Sequence, residues 1–195
     1  MKTFLYVEEM NMNGRYMTGA GKAQRLAIDG VLAALTVILG FVSIRIGNIM
    51  KISLEDIPVI YSALMFGPVD GAAVACVGIF LYQLFSYGIT ATTALWVLPF
   101  IIVGLIIGAY ARKARYNNTD RQILVLFILG ELIIWALNSV SIYVDSKIYG
   151  YYYPTIVTGM LLIRAVTALI KGIVFGLISP RILKTLSRVT HNGRR

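Results

Sequence analysis

Long stretches of hydrophobic residues alternate with short polar segments along this chain. Two of these stretches, residues 31–42 and 95–111, contain no charged residue at all. A helix needs roughly 20 apolar residues to cross a bilayer, with about 17–25 as the usual range. The pattern predicts six membrane-spanning segments, at residues 26–46, 56–66, 71–87, 93–111, 123–143 and 155–178.

The second segment is shorter than the other five. It follows a half-polar stretch that contains Lys51, Glu55 and Asp56, and Pro58 fits the first turn of a helix better than its interior. Because unpaired backbone groups cannot face lipid, we expect this segment to begin inside a cavity or at the water interface.

Composition supports a membrane protein. The chain of 195 residues is 58% hydrophobic and 14% charged, whereas an ordinary soluble domain is about 45–50% apolar and about 25% charged. So much apolar surface cannot be hidden in one core of this size. We therefore predict an all-α membrane protein with six transmembrane helices.

The formal net charge of +9 reflects topology. If both termini are cytoplasmic, the inner segments hold most of the basic residues, and the outer loops hold only Arg45, Lys51 and Lys147. The inner basic residues are Lys2, Arg15, Lys22, Arg25, Arg112, Lys113, Arg115, Arg121, Arg181, Lys184, Arg188, Arg194 and Arg195. This bias predicts a multi-pass protein of the cell membrane that contacts anionic lipids and does not bind nucleic acid. The predicted parts are a cytoplasmic N-terminal segment (1–21), the six-helix membrane domain (22–188) and a basic cytoplasmic tail (189–195).

Ionisable residues within the predicted spans mark candidate functional positions, because charge is costly in lipid. They are Asp29, Glu131, Arg164 and Lys171. Asp29 lies four residues after Arg25 on one helix face, so an interfacial ion pair is the simplest interpretation there.

The last two spans run antiparallel, so depth can be compared by counting from their inner ends at about 1.5 Å per residue. Glu131 and Lys171 are each ten residues from a flanking arginine, and Asn138 and Arg164 are each seventeen residues away. We predict that these four residues form a polar seam between the two helices. Glu131–Lys171 is either a buried ion pair that fixes helix register or part of a binding site.

Arg164 has no carboxylate at its depth on the neighbouring helix. A buried guanidinium needs an acidic ligand, carbonyl oxygens or water, and its planar fork suits a carboxylate or phosphate. We therefore expect a cationic pocket, open to the exterior, for a flat and anionic ligand.

Aromatic and hydroxyl side chains near the outer ends could complete such a pocket. We expect Tyr82, Tyr87, Thr92, Trp96 and Tyr152 to contact the ligand. The alternative for the Trp and Tyr residues is ordinary anchoring at the membrane interface.

Enzyme signatures are absent from the sequence. It holds one cysteine (Cys76) and one histidine (His191), too few for a disulfide or a Cys/His metal site, and we predict no cofactor and no metal. Gly21-Lys22 match part of a phosphate-binding loop, but Tyr16 stands in place of its first glycine and Ala23 in place of its Ser/Thr. Active transport would therefore need energy from another subunit.

Two motifs connect the chain to a known family. Lys51-Ile52-Ser53-Leu54-Glu55-Asp56-Ile57-Pro58 is followed by Phe66-Gly67-Pro68-Val69-Asp70-Gly71. Together with the length and the six spans, this pattern resembles the substrate-binding S components of energy-coupling factor (ECF) vitamin transporters, including their riboflavin and folate branches. Leu137-Asn138-Ser139 and Arg164 look most like the folate branch.

The resemblance implies high-affinity capture of a vitamin, followed by uptake with an ECF coupling transmembrane subunit and two ATPase subunits. It also implies that small residues on the first helix, Ala23, Ala27, Gly30 and Ala34, contact the coupling subunit. We favour a folate-like vitamin, with riboflavin and pantothenate as open alternatives. A membrane enzyme using Glu131 or Asp29, and a self-contained channel or proton-coupled carrier, are the alternatives of other classes.

Overall fold

The apolar runs form six helices in the computed structural model, which describes residues 22–46, 50–152 and 159–192. The helices are α1 (Lys22–Phe41), α2 (Ile57–Phe66), α3 (Pro68–Tyr87), α4 (Thr93–Lys113), α5 (Asp120–Ile148) and α6 (Leu161–Asn192). All except α2 are long and apolar enough to cross a bilayer. The predicted all-α membrane fold is confirmed. The segment 1–21, the start of the last predicted span at 155–158 and the tip of the tail at 193–195 lie outside the described residues.

The first helix is shorter than predicted at its outer end. It stops at Phe41, and β1 (Ile44–Ile46) then pairs antiparallel with β2 (Met50–Ile52). The extension of the helix to residue 46 is therefore wrong. Val42, Ile44 and Ile46 are β-branched, and such side chains favour extended backbone over helix.

Helix α2 is enclosed by the rest of the protein. All ten of its residues are buried, in agreement with its apolar character on every side. Its ten residues span only about 15 Å, so α2 covers part of the membrane depth. Pro58 occupies the first turn, and the helix ends at Phe66. The next residue, Gly67, has a φ of 106°, which permits the sharp turn into α3.

Polar contacts at the inner ends of the helices hold this turn in place. The Arg25 guanidinium binds the Asp70 carboxylate and donates to the Phe66 carbonyl at 2.7 Å. Ser62 donates to Asp29 at 2.7 Å. Arg25 and Asp29 attract each other electrostatically, as the spacing predicted, but their direct partners are Asp70 on α3 and Ser62 on α2.

Close backbone contact joins α4 to this turn. A Cβ atom at Gly104 would lie 2.6 Å from the carbonyl carbon of Gly71, and one at Gly108 would lie 2.5 Å from that of Gly67. Only glycine permits such an approach. The block formed by α2, α3 and α4 is consequently packed through its backbone as well as its side chains.

Candidate functional site

Glycines also bring α5 and α6 together. A Cβ atom at Gly172 would lie 2.8 Å from the Cα atom of Ile128, and one at Gly176 would lie 3.0 Å from that of Leu124. Small residues of this kind let membrane helices pack closely. Lys171, next to Gly172, is thereby held against α5.

Lys171 is the centre of a buried charged cluster. Its Nζ lies 2.9 Å from Glu131 Oε2 and 2.8 Å from Asp56 Oδ2, and it donates to the Ser53 carbonyl at 3.0 Å. The side chains of Asp56 and Glu131 are 1% and 2% exposed. The predicted Glu131–Lys171 contact is confirmed. Since an ammonium group has three donors, those of Lys171 are taken up within the protein.

Sequence reasoning missed the part played by Asp56. The sequence did contain a signal, because Asp56 is an acidic residue directly before a wholly apolar helix, where charge is costly. Its partner could not be inferred, since depth counting compares only helices that both cross the membrane.

A cavity of about 100 Å³ opens beside this cluster, towards the outer half of the α5–α6 pair. Its walls come from the chain that leads into α2 and from α4, α5 and α6. The lining residues are Ile52, Ser53, Glu55, Asp56, Phe100, Glu131, Ile134, Trp135, Asn138, Arg164, Thr167, Ala168 and Lys171. All four members of the predicted polar seam therefore line one cavity.

Some polar groups in this cavity lack partners among the described residues. Glu131 Oε1 and Asn138 Oδ1 are buried and accept no hydrogen bond. The half-buried guanidinium of Arg164 makes no hydrogen bond or ion pair within the described part of the chain. Buried polar groups are normally satisfied, so unsatisfied ones need an explanation such as a ligand or water. The cavity offers two acceptors and one planar donor.

The cavity lining carries both signs of charge. Three carboxyl groups, on Glu55, Asp56 and Glu131, face two cations, Arg164 and Lys171. The lining is therefore mixed in charge, and a cationic pocket around Arg164 stays a prediction. The cause of the mixed charge is the segment before α2, which brings two acidic residues to the polar seam.

The other predicted ligand contacts lie outside the lining of this cavity. Tyr82 is 2% exposed and packs edge-to-face against Phe41 and Tyr87. Tyr152 packs against Tyr143, with Lys147 Nζ 3.9 Å from the centre of its ring. Their role in ligand binding stays a prediction.

Thr92 and Trp96 instead contact Asp145, which the sequence analysis overlooked. Thr92 Oγ1 donates to Asp145 Oδ1, and Trp96 Nε1 lies 3.4 Å from the same oxygen. Tyr151 donates its hydroxyl to Asp145 Oδ2. Partial burial, and then the neighbouring Asp145 carboxylate, raise the pKa of the Tyr151 phenol, so the hydroxyl keeps its proton even well above neutral pH. Asp145 follows Asn138 by seven residues, so extending the spacing of the polar seam would have found it.

The small residues of α1 lie on an open surface. Ala23, Ala27, Gly30 and Ala34 are all exposed, and a Cβ atom at Gly30 would meet nothing within 4 Å. This face is available for another helix. Its contact with a coupling subunit stays a prediction.

Comparison with known proteins agrees with this architecture. The family model for the substrate-specific component of ECF transporters matches residues 24–183. The riboflavin transporter RibU of Staphylococcus aureus (strain TCH60) is 26% identical to this chain over an alignment of 195 positions. The alignment covers 91% of this chain and 100% of that protein. Because the family match covers most of the chain, the chain belongs to the substrate-specific components of ECF transporters, multi-pass cell-membrane proteins of vitamin uptake that work with an ECF module and are not enzymes.

Proposed function

We propose that this S component binds riboflavin, or a closely related flavin, in the cavity between α5, α6 and the segment that leads into α2. The observation that carries the proposal is the set of unpartnered groups on Arg164, Asn138 and Glu131. The similarity to a riboflavin transporter supports the same choice.

The hydrogen-bonding character of the cavity suits an uncharged ring. Riboflavin carries no net charge, and one edge of its flat ring system presents an N–H group between two carbonyl groups. Arg164 can donate to a carbonyl of that edge, and Asn138 Oδ1 can accept from the N–H group. Phe100 and Trp135 supply flat apolar surface beside it.

A folate-like vitamin is the second candidate, and Arg164 is the residue that favours it. Folate carries carboxylates that a guanidinium binds well. Against it, the carboxyl groups of Glu55, Asp56 and Glu131 line the same cavity, so a carboxylate of the vitamin would have to bind Arg164 beside other carboxyl groups. The relative also gives no support to folate, since its substrate is riboflavin.

The size of the cavity limits what it can enclose. Pockets for drug-sized ligands usually measure about 300–1,000 Å³, and this cavity measures about 100 Å³. It accommodates the polar edge of the ring, while the remainder of the vitamin extends towards the outer ends of the helices.

The partners follow from the family. A coupling transmembrane subunit and two ATPases supply the energy, and the exposed small residues of α1 are the proposed contact for the coupling subunit.

Ligand titration of the purified chain tests the proposal. Riboflavin fluorescence should be quenched at one molecule per chain, and neither folate nor pantothenate should compete. Native mass spectrometry should detect a co-purified flavin. Tight binding of folate without binding of riboflavin would contradict the proposed specificity. Flux of riboflavin into liposomes that contain this chain alone would contradict the need for separate ATPases.

A further inference from the structure

Asp145 joins the start of α4 to the segment after α5 at the outer end of the protein. The residue is 9% exposed, and its carboxylate accepts from Thr92 at the N-cap of α4, from Trp96 in the first turn of α4, and from Tyr151 in the segment after α5. A buried carboxylate with three donors is well satisfied.

The three donors differ in their access to water. Thr92 is 1% exposed and Trp96 is half-buried, whereas Tyr151 is 45% exposed. If the Tyr151 hydroxyl leaves, water can solvate it, and Asp145 still keeps Thr92 and Trp96 as donors. The Tyr151 contact is therefore the one that can break without leaving a buried charge unpaired.

The local backbone permits this movement. Gly150 has a φ of 75°, which lets the chain reverse after α5 so that Tyr151 returns to Asp145. A Cβ atom at Gly150 would meet nothing within 4 Å, so the space beside the turn is open. The other described contact of the segment is that of Tyr152 with Tyr143 and Lys147 on α5, which does not involve α4.

The cluster lies directly outward of the cavity. Glu131, Asn138 and Asp145 are spaced by seven residues on α5, which places them on one face at steps of about 10.5 Å. Phe100, which lines the cavity, follows Trp96 by one turn of α4. The same two helix faces thus carry the cavity and, further out, the Asp145 cluster.

We infer that the Tyr151–Asp145 contact is a latch, which fastens residues 149–152 across the outer ends of α4 and α5 and sets the rate at which a ligand enters and leaves. The part about ligand exchange rests on the proposed function. The latch itself does not, because it concerns contacts within the chain.

The test compares Tyr151→Phe with Tyr149→Phe in the purified full chain. Tyr149 is 51% exposed and lies two residues away, so it is a matched control for loss of a phenol hydroxyl. Amide hydrogen exchange without ligand should become about 10-fold faster in residues 149–152 of Tyr151→Phe, as expected for loss of one bond to a charged acceptor, and should not change in Tyr149→Phe. Equal exchange in both variants and the unaltered chain overturns the latch, whether or not a vitamin binds.

Stopped-flow measurement of riboflavin binding tests whether the Tyr151–Asp145 contact controls how fast a ligand enters the cavity. In Tyr151→Phe the association and dissociation rate constants should both rise about 10-fold, so that Kd changes little. Faster dissociation with unchanged association would make Tyr151 a ligand contact and would overturn its role in entry. If the unaltered chain binds no riboflavin, the proposed function fails, and the exchange experiment still decides the latch.

Discussion

The α2–α4 block and the polar seam between α5 and α6 are built on opposite principles. In the block, helices touch through glycine backbones, and no buried side-chain polar atom of α2, α3 or α4 lacks a partner. In the seam, Glu131 and Asn138 each bury an oxygen without a donor, next to Arg164. Within the described helices, the buried side-chain atoms that lack a partner therefore lie on α5, beside the cavity; the other such residue of the described chain is Asn118, in the connection between α4 and α5.

Removing Lys171 should break the seam most severely. Lys171→Met leaves Asp56 and Glu131 buried without their cation, which should lower the free energy of unfolding by about 3–5 kcal/mol. Reversible unfolding in mixed micelles measures it. Lys184→Met is the matched control, because the Lys184–Asp120 pair is 46% and 61% exposed and such surface pairs contribute about 0–1 kcal/mol.

A combined variant sharpens this prediction. Lys171→Met together with Asp56→Asn and Glu131→Gln removes the uncompensated charges and should recover part of the lost stability. Equal stability of Lys171→Met and the unaltered chain would show that the charged cluster does not hold the seam together.

Arg164→Ala should affect the ligand and not the fold. The guanidinium has no partner in the described chain, so its removal should leave thermal unfolding unchanged. Loss of a hydrogen bond from a charged donor should weaken vitamin binding by about 1.5–3 kcal/mol, roughly 10- to 100-fold in Kd. Arg181→Ala, at an exposed position on the same helix, should bind normally. An unchanged Kd for Arg164→Ala would remove Arg164 from the site.

Replacing a glycine by alanine should lower stability in the α2–α4 block and have little effect on the open surface of α1. Gly108→Ala places a Cβ atom against the backbone of the α2–α3 turn and should destabilise the protein by about 1–3 kcal/mol. Gly30→Ala, where the new atom meets nothing, should be neutral or slightly stabilising because alanine favours helix. Equal melting temperatures for the two variants would contradict backbone packing in the block.

The sequence was most informative where periodicity and depth could be counted. Apolar runs predicted the six helical segments, and the polar residues before α2 predicted that this helix begins inside the protein or at the water interface. Counting helical rise predicted the Glu131–Lys171 contact. Contacts that depend on a turn could not be counted in this way. Asp56 reaches Lys171 only because α2 begins within the bundle, and Arg25 finds Asp70 only because Gly67 reverses the chain. The aromatic residues were chosen by type, which does not fix the direction of a side chain.

The enclosure of α2 has a consequence for how the protein responds to different lipids. Bilayers vary in thickness, and helices that touch acyl chains adjust by tilting or by distorting the lipid around them. Five helices here are subject to that mismatch, whereas α2 exposes almost nothing to lipid. A change in bilayer thickness should therefore leave the position of Asp56 in the cavity wall unchanged, whereas it can shift the residues that α5 and α6 contribute to that wall.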